Sequence, residues 1–189
     1  WFFTLGLRYL VPTLLPQIKA DFGVRNAGGG LAVTAIWAGY ALMQFPAGAL
    51  VDRVGERRLL AGSLFAAAVS LGVLFVSWSF PAFVAGSALF GLATGMFGPA
   101  RGTTLSRTFS EGQGAAFGLT FAAGSVGSAV LPFLAGVLVG PLGWQATIVL
   151  SAPGFLVVSA ATWLVIGERE EEAASDSDAS GDAATSGPA

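Results

Sequence analysis

The chain has 189 residues, of which 54% are hydrophobic and only 11% are charged, and its mean hydropathy is +0.73. A soluble domain carries about a quarter charged residues, so most of this surface must face lipid or other helices. Cysteine and histidine are absent, which excludes disulfides, thiol nucleophiles, imidazole bases and the usual zinc sites. We expect no enzyme activity, cofactor, metal or nucleic-acid partner.

The charges divide the chain into a mildly basic body and an acidic tail. Residues 168–189 contain seven acids, one arginine and no aromatic residue, a composition that predicts a disordered cytoplasmic tail or linker. Arginine outnumbers lysine eight to one, and together with the acidic tail this favours a prokaryotic, salt-adapted source. The chain starts at Trp1 inside an apolar run, which predicts that the first helix lacks part of its N-terminal end.

Charge-free windows predict a transmembrane domain over residues 1–167. A spanning helix needs about 20 apolar residues. Residues 59–100 and 112–167 contain no charge, and each window is long enough for two spans, with turns expected at 77–81 and 140–144. The six predicted helices are residues 1–18, 28–50, 58–78, 81–105, 113–139 and 144–166.

The distribution of basic residues predicts the orientation, because lysine and arginine stay on the cytoplasmic side. One side holds Arg53, Arg57, Arg58, Arg101, Arg107 and Arg169, and the other holds only Lys19 and Arg25. The N-terminus and the tail of this multi-pass protein are therefore expected in the cytoplasm, and the protein itself in the cell membrane. Trp78 and Trp144 fall at outer ends, where interfacial aromatic residues are expected.

Arg8 is the most informative single residue. It lies about ten residues from the outer end of the first helix, about 15 Å at helical rise and thus near the midplane. A charge there costs at least about 2.5 kcal/mol, and no acid lies within any predicted span. We favour a role for Arg8 in binding an anionic solute or a carboxylate of another domain. The alternatives are that the truncated start makes Arg8 look deeper than it is, or that Arg8 bonds helix carbonyls. Other mid-span polar side chains, each explained singly by a local hydrogen bond, are Tyr9, Gln44, Thr94 and Thr120.

Small residues recur on one face of two predicted helices. The fourth helix carries them at Gly91, Gly95, Gly98 and Gly102. Such stripes let helix backbones approach closely in lipid, so close packing is their simplest explanation.

The loop between the second and third predicted helices resembles the signature of the major facilitator superfamily, G-x-L-x-D-R-x-G-x-R-R. Every fixed position matches: Gly48, Leu50, Asp52, Arg53, Gly55, Arg57 and Arg58. The fifth helix is similar to the antiporter-associated pattern of that family at Gly118, Gly127, Pro132 and Gly136, while Leu131 and Ala135 replace glycines. The arginine that many members carry in the fourth helix is replaced by Gly91. The resemblance covers residues 1–167, one six-helix half of a twelve-helix family.

The resemblance implies an all-α integral membrane fold of two inverted three-helix repeats, with solute bound near the midplane between two such halves. The positions expected to contact solute are Arg8, Tyr9, Gln44, Thr94 and Thr120. Asp52 is expected to meet Arg101 or Arg107 and a helix N-terminus of the other half, where a carboxylate is stabilised. That contact would latch the outward-open state.

These observations predict a secondary transporter, or its N-terminal half, that moves a small organic solute by alternating access, and Arg8 favours an anionic solute. Its expected partners are the lipid bilayer, the solute and a second six-helix half or a second copy. One alternative is a proton-coupled efflux antiporter for drugs or metabolites, which the fifth helix favours. A second alternative is a non-transporting six-helix sensor or scaffold, which would have no need of the Asp52 latch.

Overall fold

The computed structural model describes residues 1–109 and 111–166, and within these ranges the chain is helical without strands. The helices are α1 (Phe2–Phe22), α2 (Asn26–Val54), α3 (Glu56–Phe75), α4 (Phe80–Thr108), α5 (Gln113–Val149) and α6 (152–166). The predicted tail, 168–189, lies outside the described residues.

Helix ends follow from local sequence. α1 ends at Gly23, whose φ of 63° is the left-handed conformation that glycine adopts without strain. Gly55 alone joins α2 to α3, with a φ of 84°. At the start of α4, the Ser79 hydroxyl accepts a hydrogen bond from the Ala82 amide at 3.4 Å, and Pro81 occupies the first turn.

Gly143 interrupts α5. Its φ of 78° and ψ of 164° are not helical, so two helical segments meet at this residue. A straight helix over 113–166 would be about 80 Å long at 1.5 Å per residue, far more than the ~30 Å hydrocarbon core of a bilayer. The interruption lies inside the 140–144 segment for which a turn was expected.

The α2–α4 pair is packed through glycines. Gly91 lies against the backbone of Ile36, and Gly95 lies so close to α2 that a Cβ on it would stand 2.8 Å from the Tyr40 carbonyl oxygen. Gly102, nearer the end of the same helix, faces open space. Only part of the α4 glycine stripe therefore makes the close contact that such residues allow.

The α1–α5 pair is packed in the same way. Gly127 of α5 lies against the carbonyl of Phe2, and Gly6 of α1 lies against the backbone of Gly127. On its other side α4 packs against α3, while α3 also meets α6 through a hydrogen bond from the Ser159 hydroxyl to the Ala61 carbonyl at 2.8 Å.

An aromatic cluster joins the C-terminal end of α1 to α4 and α5. The Trp144 ring lies 5.5 Å from that of Phe22 and 5.3 Å from that of Phe83, and its Nε1 donates to Asp21 at 2.8 Å. Trp144 is only 3% exposed, whereas Trp78 is 86% exposed. The indole N–H of Trp144 is thus satisfied by the exposed Asp21 carboxylate, and the interfacial position of both tryptophans stays a prediction.

Three helical stretches are long and apolar enough to cross a membrane: Glu56–Phe75, Phe80–Thr108 and Gln113–Ile166. The first two helices are not among these stretches; α1 carries the charges of Arg8 and Lys19, and α2 carries Gln44. The structure is all-helical as expected, and the arrangement of six spans stays a prediction.

Candidate functional site

Arg8 lies in the interior of the bundle. It is 1% exposed, and its Nη2 donates to the carbonyl of Thr94 on α4 at 3.4 Å. Its Nε is buried without a hydrogen-bond partner among the described residues. Of the explanations that the sequence allowed, the bond to a helix carbonyl is present, and it leaves part of the guanidinium unsatisfied.

Aromatic rings surround the Arg8 guanidinium. Its Cζ is 3.6 Å from the ring centroid of Tyr40 and 5.6 Å from those of Trp1 and Trp37. A cation over a ring face is attracted by the ring quadrupole, by about 2 kcal/mol when the pair is desolvated. Arg8 therefore joins α1 to both α2 and α4.

No carboxylate accompanies this charge in the described part of the chain. The acids there are Asp21, Asp52, Glu56 and Glu111, and all four lie at helix ends or in a loop. Burial of an arginine without an anion is unfavourable in a protein interior, and ring faces compensate for only part of the lost hydration. The geometry thus leaves a cationic site in the interior that an anion would complete.

Tyr9 lies at the exposed edge of this site, next to one of the rings around Arg8. It is 44% exposed, and its ring meets that of Trp37 edge-on at 6.1 Å. Gln44 lies nearer to the site, half-buried, with its Nε2 donating to the Gly95 carbonyl at 3.5 Å. Arg8 and Gln44 consequently bond consecutive carbonyls of α4, at Thr94 and Gly95.

The two threonines use their hydroxyl protons locally. Thr94 Oγ1 donates to the Phe90 carbonyl at 2.9 Å, and Thr120 Oγ1 donates to the Phe117 carbonyl at 2.9 Å. Thr94 meets Arg8 through its backbone oxygen, not its hydroxyl. Either threonine would have to give up an intrahelical bond before it could donate to an anion.

Arg101 forms a second cationic cluster with α5. Its Nη1 donates to Thr120 Oγ1 at 2.6 Å, and its Cζ is 5.1 Å from the Phe121 ring centroid and 4.6 Å from that of Trp1. Trp1 also stacks on Phe97, with centroids 6.1 Å apart. Trp1 was not among the predicted site residues. Its seven-residue spacing from Arg8 puts both on one helix face and could have indicated that the two side chains lie close together.

The loop with the family signature ties α3 to two other helices. Glu56 and Arg107 form an ion pair at 2.9 Å, and Arg57 Nε donates to the Trp163 carbonyl at 2.8 Å while its guanidinium lies 4.3 Å from the Trp163 ring centroid. Asp52 is exposed. In the described part of the chain the acid that meets Arg107 is Glu56, and Arg101 meets Thr120, so this conformation does not show the expected Asp52 pairing.

The other signature positions have simple surroundings. Gly48 faces open space, Leu50 packs against the core, and Arg53 and Arg58 are exposed. In the fifth-helix pattern, Gly127 makes the contact with α1, Gly118 and Gly136 face open space, and Pro132 is half-buried.

The family model of the Major Facilitator Superfamily matches residues 1–187 of the chain. The chain belongs to the Major Facilitator Superfamily. Membership points to a non-enzymatic membrane transport protein, as the sequence analysis expected.

The chain is similar in sequence to three curated relatives with different names. It is 35% identical over 127 residues to the methyl viologen resistance protein SmvA of Salmonella typhimurium, which covers 64% of this chain and 25% of that protein. It is 29% identical over 159 residues to the methylenomycin A resistance protein of Bacillus subtilis, 79% of this chain and 34% of that protein. It is 34% identical over 162 residues to the probable anion transporter 3, chloroplastic, of Arabidopsis thaliana, 82% of this chain and 31% of that protein. The chain thus spans about a quarter to a third of the length of these relatives.

Proposed function

We propose that this chain is the N-terminal half of a secondary transporter that moves a small organic anion across the cell membrane by alternating access. The observation that carries the proposal is the buried Arg8 guanidinium, which has an unpartnered Nε and no carboxylate nearby in the described residues. A bound anion would supply the missing charge and acceptor.

The surroundings of Arg8 indicate what the anion carries besides its charge. Tyr40 and Trp37 present ring faces, and Gln44 is the neighbouring polar side chain. Ligand sites combine apolar walls with a few polar groups that fix orientation. A carboxylate attached to an apolar or aromatic body fits that combination.

A second six-helix half would supply the opposite wall of the site. Transporters of this kind bind solute near the midplane between repeats. This chain covers 25%, 34% and 31% of the length of the three relatives named above. Helix α1 packs on α5, and α2 packs on α4. If α1–α3 and α4–α6 are two repeats, the second helix of each repeat packs on the first helix of the other. The two halves would cross the bilayer with the N-terminus and the tail in the cytoplasm, as the arginine bias favours.

Asp52 is the position at which the other half would be held. It is exposed near the C-terminal end of α2, so its carboxylate is free to approach the N-terminus of a helix in a second half. Asp52→Asn should lower flux severalfold without lowering the yield of folded protein. Normal flux in this variant would remove the latch role.

Drug efflux is the second candidate, because two relatives are named for resistance to methyl viologen and methylenomycin A. Methyl viologen is a dication, and a site whose buried charges are Arg8 and Arg101 would repel it. Efflux of a neutral or anionic compound is compatible with the same site. A cell-resistance assay with the full chain, with and without the Arg8→Gln substitution, separates these cases.

Uptake into proteoliposomes tests the main proposal. The full chain as its gene encodes it is reconstituted and presented with labelled carboxylates and, separately, cationic drugs. Arg8→Gln should reduce carboxylate uptake about tenfold or more, as expected for the loss of a hydrogen bond to a charged group, and Arg8→Lys should retain part of it. Arg25→Gln, an exposed arginine in the α1–α2 loop, is the control.

Unchanged carboxylate uptake by Arg8→Gln would show that Arg8 is no anion site. Transport of cationic drugs alone would favour the antiporter alternative. Absence of flux with every solute, from protein that is folded and membrane-inserted, would favour the sensor or scaffold.

A further inference from the structure

We infer that Arg101 and Trp1 extend the Arg8 site into one that takes a dianion, with one anionic group at each arginine. This inference rests on the proposed anion transport and names the class of anion. The juxtaposition that carries it is the Trp1 indole, which lies within 5.6 Å of the Arg8 guanidinium and within 4.6 Å of the Arg101 guanidinium.

Unsatisfied donors concentrate at this place. Five buried side-chain polar atoms lack a hydrogen-bond partner among the described residues, and the three that are nitrogen donors are Trp1 Nε1, Arg8 Nε and Arg101 Nε. A buried donor without an acceptor costs about 1–3 kcal/mol, and more when the group is charged. Three such donors in one place favour the binding of a ligand rich in acceptors.

The charge balance points to two anionic groups on that ligand. Arg8 and Arg101 are the arginines of this interior cluster, and the four described acids lie elsewhere, at helix ends or in a loop. One carboxylate would neutralise one guanidinium and leave the other without a partner. Two carboxylates on one solute would neutralise both.

Arg101 is half-buried and borders open space on the side of α3 and α6. Arg101 lines a cavity of about 350 Å³ together with Phe97 and Thr104 of α4 and residues of α3 and α6. Its Nη1 is held by Thr120 on α5, which fixes the guanidinium while its Nε stays unsatisfied. The Arg101 end is thus the more accessible end of the pair, since Arg8 is 1% exposed.

Two probes isolate the contribution of the second charge. Glutarate and pentanoate share a five-carbon chain and differ by one carboxylate. Binding of each to the purified full chain is measured from the ligand-dependent shift in melting temperature and, separately, from competition with a labelled carboxylate. The variants are Arg101→Gln, Arg101→Lys and Arg8→Gln, with Arg25→Gln as the control.

The wild-type protein should bind glutarate about tenfold or more tightly than pentanoate, the size expected for one extra bond to a charged group. Arg101→Gln should lower the affinity for glutarate by a larger factor than the affinity for pentanoate and so reduce that preference, while Arg101→Lys should keep part of it. Because the lysine variant retains the charge, it separates loss of the anion contact from loss of packing.

Two results would overturn the dianion site. One is equal binding of glutarate and pentanoate by the wild-type protein; the other is an equal fold-loss of both ligands in Arg101→Gln. Failure of the proposed function looks different, because in that case neither carboxylate would bind in a way that depends on Arg8.

Discussion

The α2–α4 and α1–α5 contacts are built alike but supported differently. Both bring a glycine against the backbone of the partner helix, at Gly91 in α4 and at Gly127 in α5. Gly91 meets the middle of α2, whereas Gly127 meets the first turn of α1. Ten of the 29 residues of α4 are buried, but only six of the 37 residues of α5.

This difference separates the two helices by role. α4 is enclosed because α3 covers the side that α2 does not, so its contacts have little freedom to adjust. α5 keeps an apolar outer face, with Leu119 and Phe133 both at least 70% exposed. Such a face must be covered by lipid or by the proposed second half, and its contacts can shift more easily.

Gly91→Ala should show the largest effect. The added Cβ would overlap the Ile36 carbonyl in the middle of α2, and α4 cannot move away freely because α3 packs on its other side; overpacking of this kind costs about 1–3 kcal/mol. The measurement is the melting temperature of the full chain in detergent. Gly102→Ala, in the same helix but facing open space, should be neutral or slightly stabilising because alanine favours helix. Equal melting temperatures for the two variants would contradict the close α2–α4 contact.

Gly127→Ala should be destabilising by a smaller amount, about 1 kcal/mol. Its Cβ would meet the Phe2 carbonyl, but the first turn of a helix can move away. Gly136→Ala in the same helix faces open space and is the matched control. A larger loss for Gly127→Ala than for Gly91→Ala would reverse the ranking of the two interfaces.

Trp144→Phe tests how far the part of α5 after Gly143 holds the C-terminal end of α1, apart from the contact that Gly127 makes at the first turn of α1. The substitution keeps the ring in the aromatic cluster and removes the Nε1 bond to Asp21, and we expect a loss of about 1 kcal/mol in unfolding free energy. Trp78→Phe, at an exposed position, should leave stability unchanged. If Trp144→Phe matched that control, the hydrogen bond would contribute nothing to holding α1.

The smallest effect is expected at the Glu56–Arg107 pair between α3 and α4. Arg107 is 68% exposed and Glu56 is 13% exposed, so solvent weakens their attraction to less than about 1 kcal/mol. A double-mutant cycle with Arg107→Gln and Glu56→Gln at low and high salt measures the coupling. A coupling above 2 kcal/mol that persists in salt would mean that charge, rather than packing, holds α3 on α4.

Sequence reasoning identified features that depend on local chemistry. The composition predicted a helical membrane protein, and the Gly48–Arg58 loop identified the superfamily, because both signals are carried by residues close together in the chain. Arg8 was recognisable since a lone charge in an apolar helix is costly wherever it lies.

What sequence reasoning missed depends on contacts between distant segments. The Trp1–Arg101 contact joins residues 100 positions apart, and the Trp144–Asp21 bond joins residues 123 apart. Nor could the sequence tell that Thr94 meets Arg8 by its carbonyl, because every residue has one and only the α1–α4 geometry selects it. Arg107 pairs with Glu56 and not with Asp52 because of the direction in which α3 leaves the single-residue turn at Gly55. The sequence alone does not give that direction.

The interruption at Gly143 bears on whether the chain crosses the membrane once or twice between Gln113 and Ile166. If Gln113–Ile166 crossed the membrane once, its two ends would emerge on opposite faces; if it crosses twice, both ends emerge on the same face. No charged residue between 112 and 167 marks the reversal, so a hydropathy profile alone treats this stretch as one segment. If the chain reverses at Gly143, a reporter fused after residue 166 should lie in the same compartment as one inserted just before Gln113, and opposite compartments would contradict the reversal.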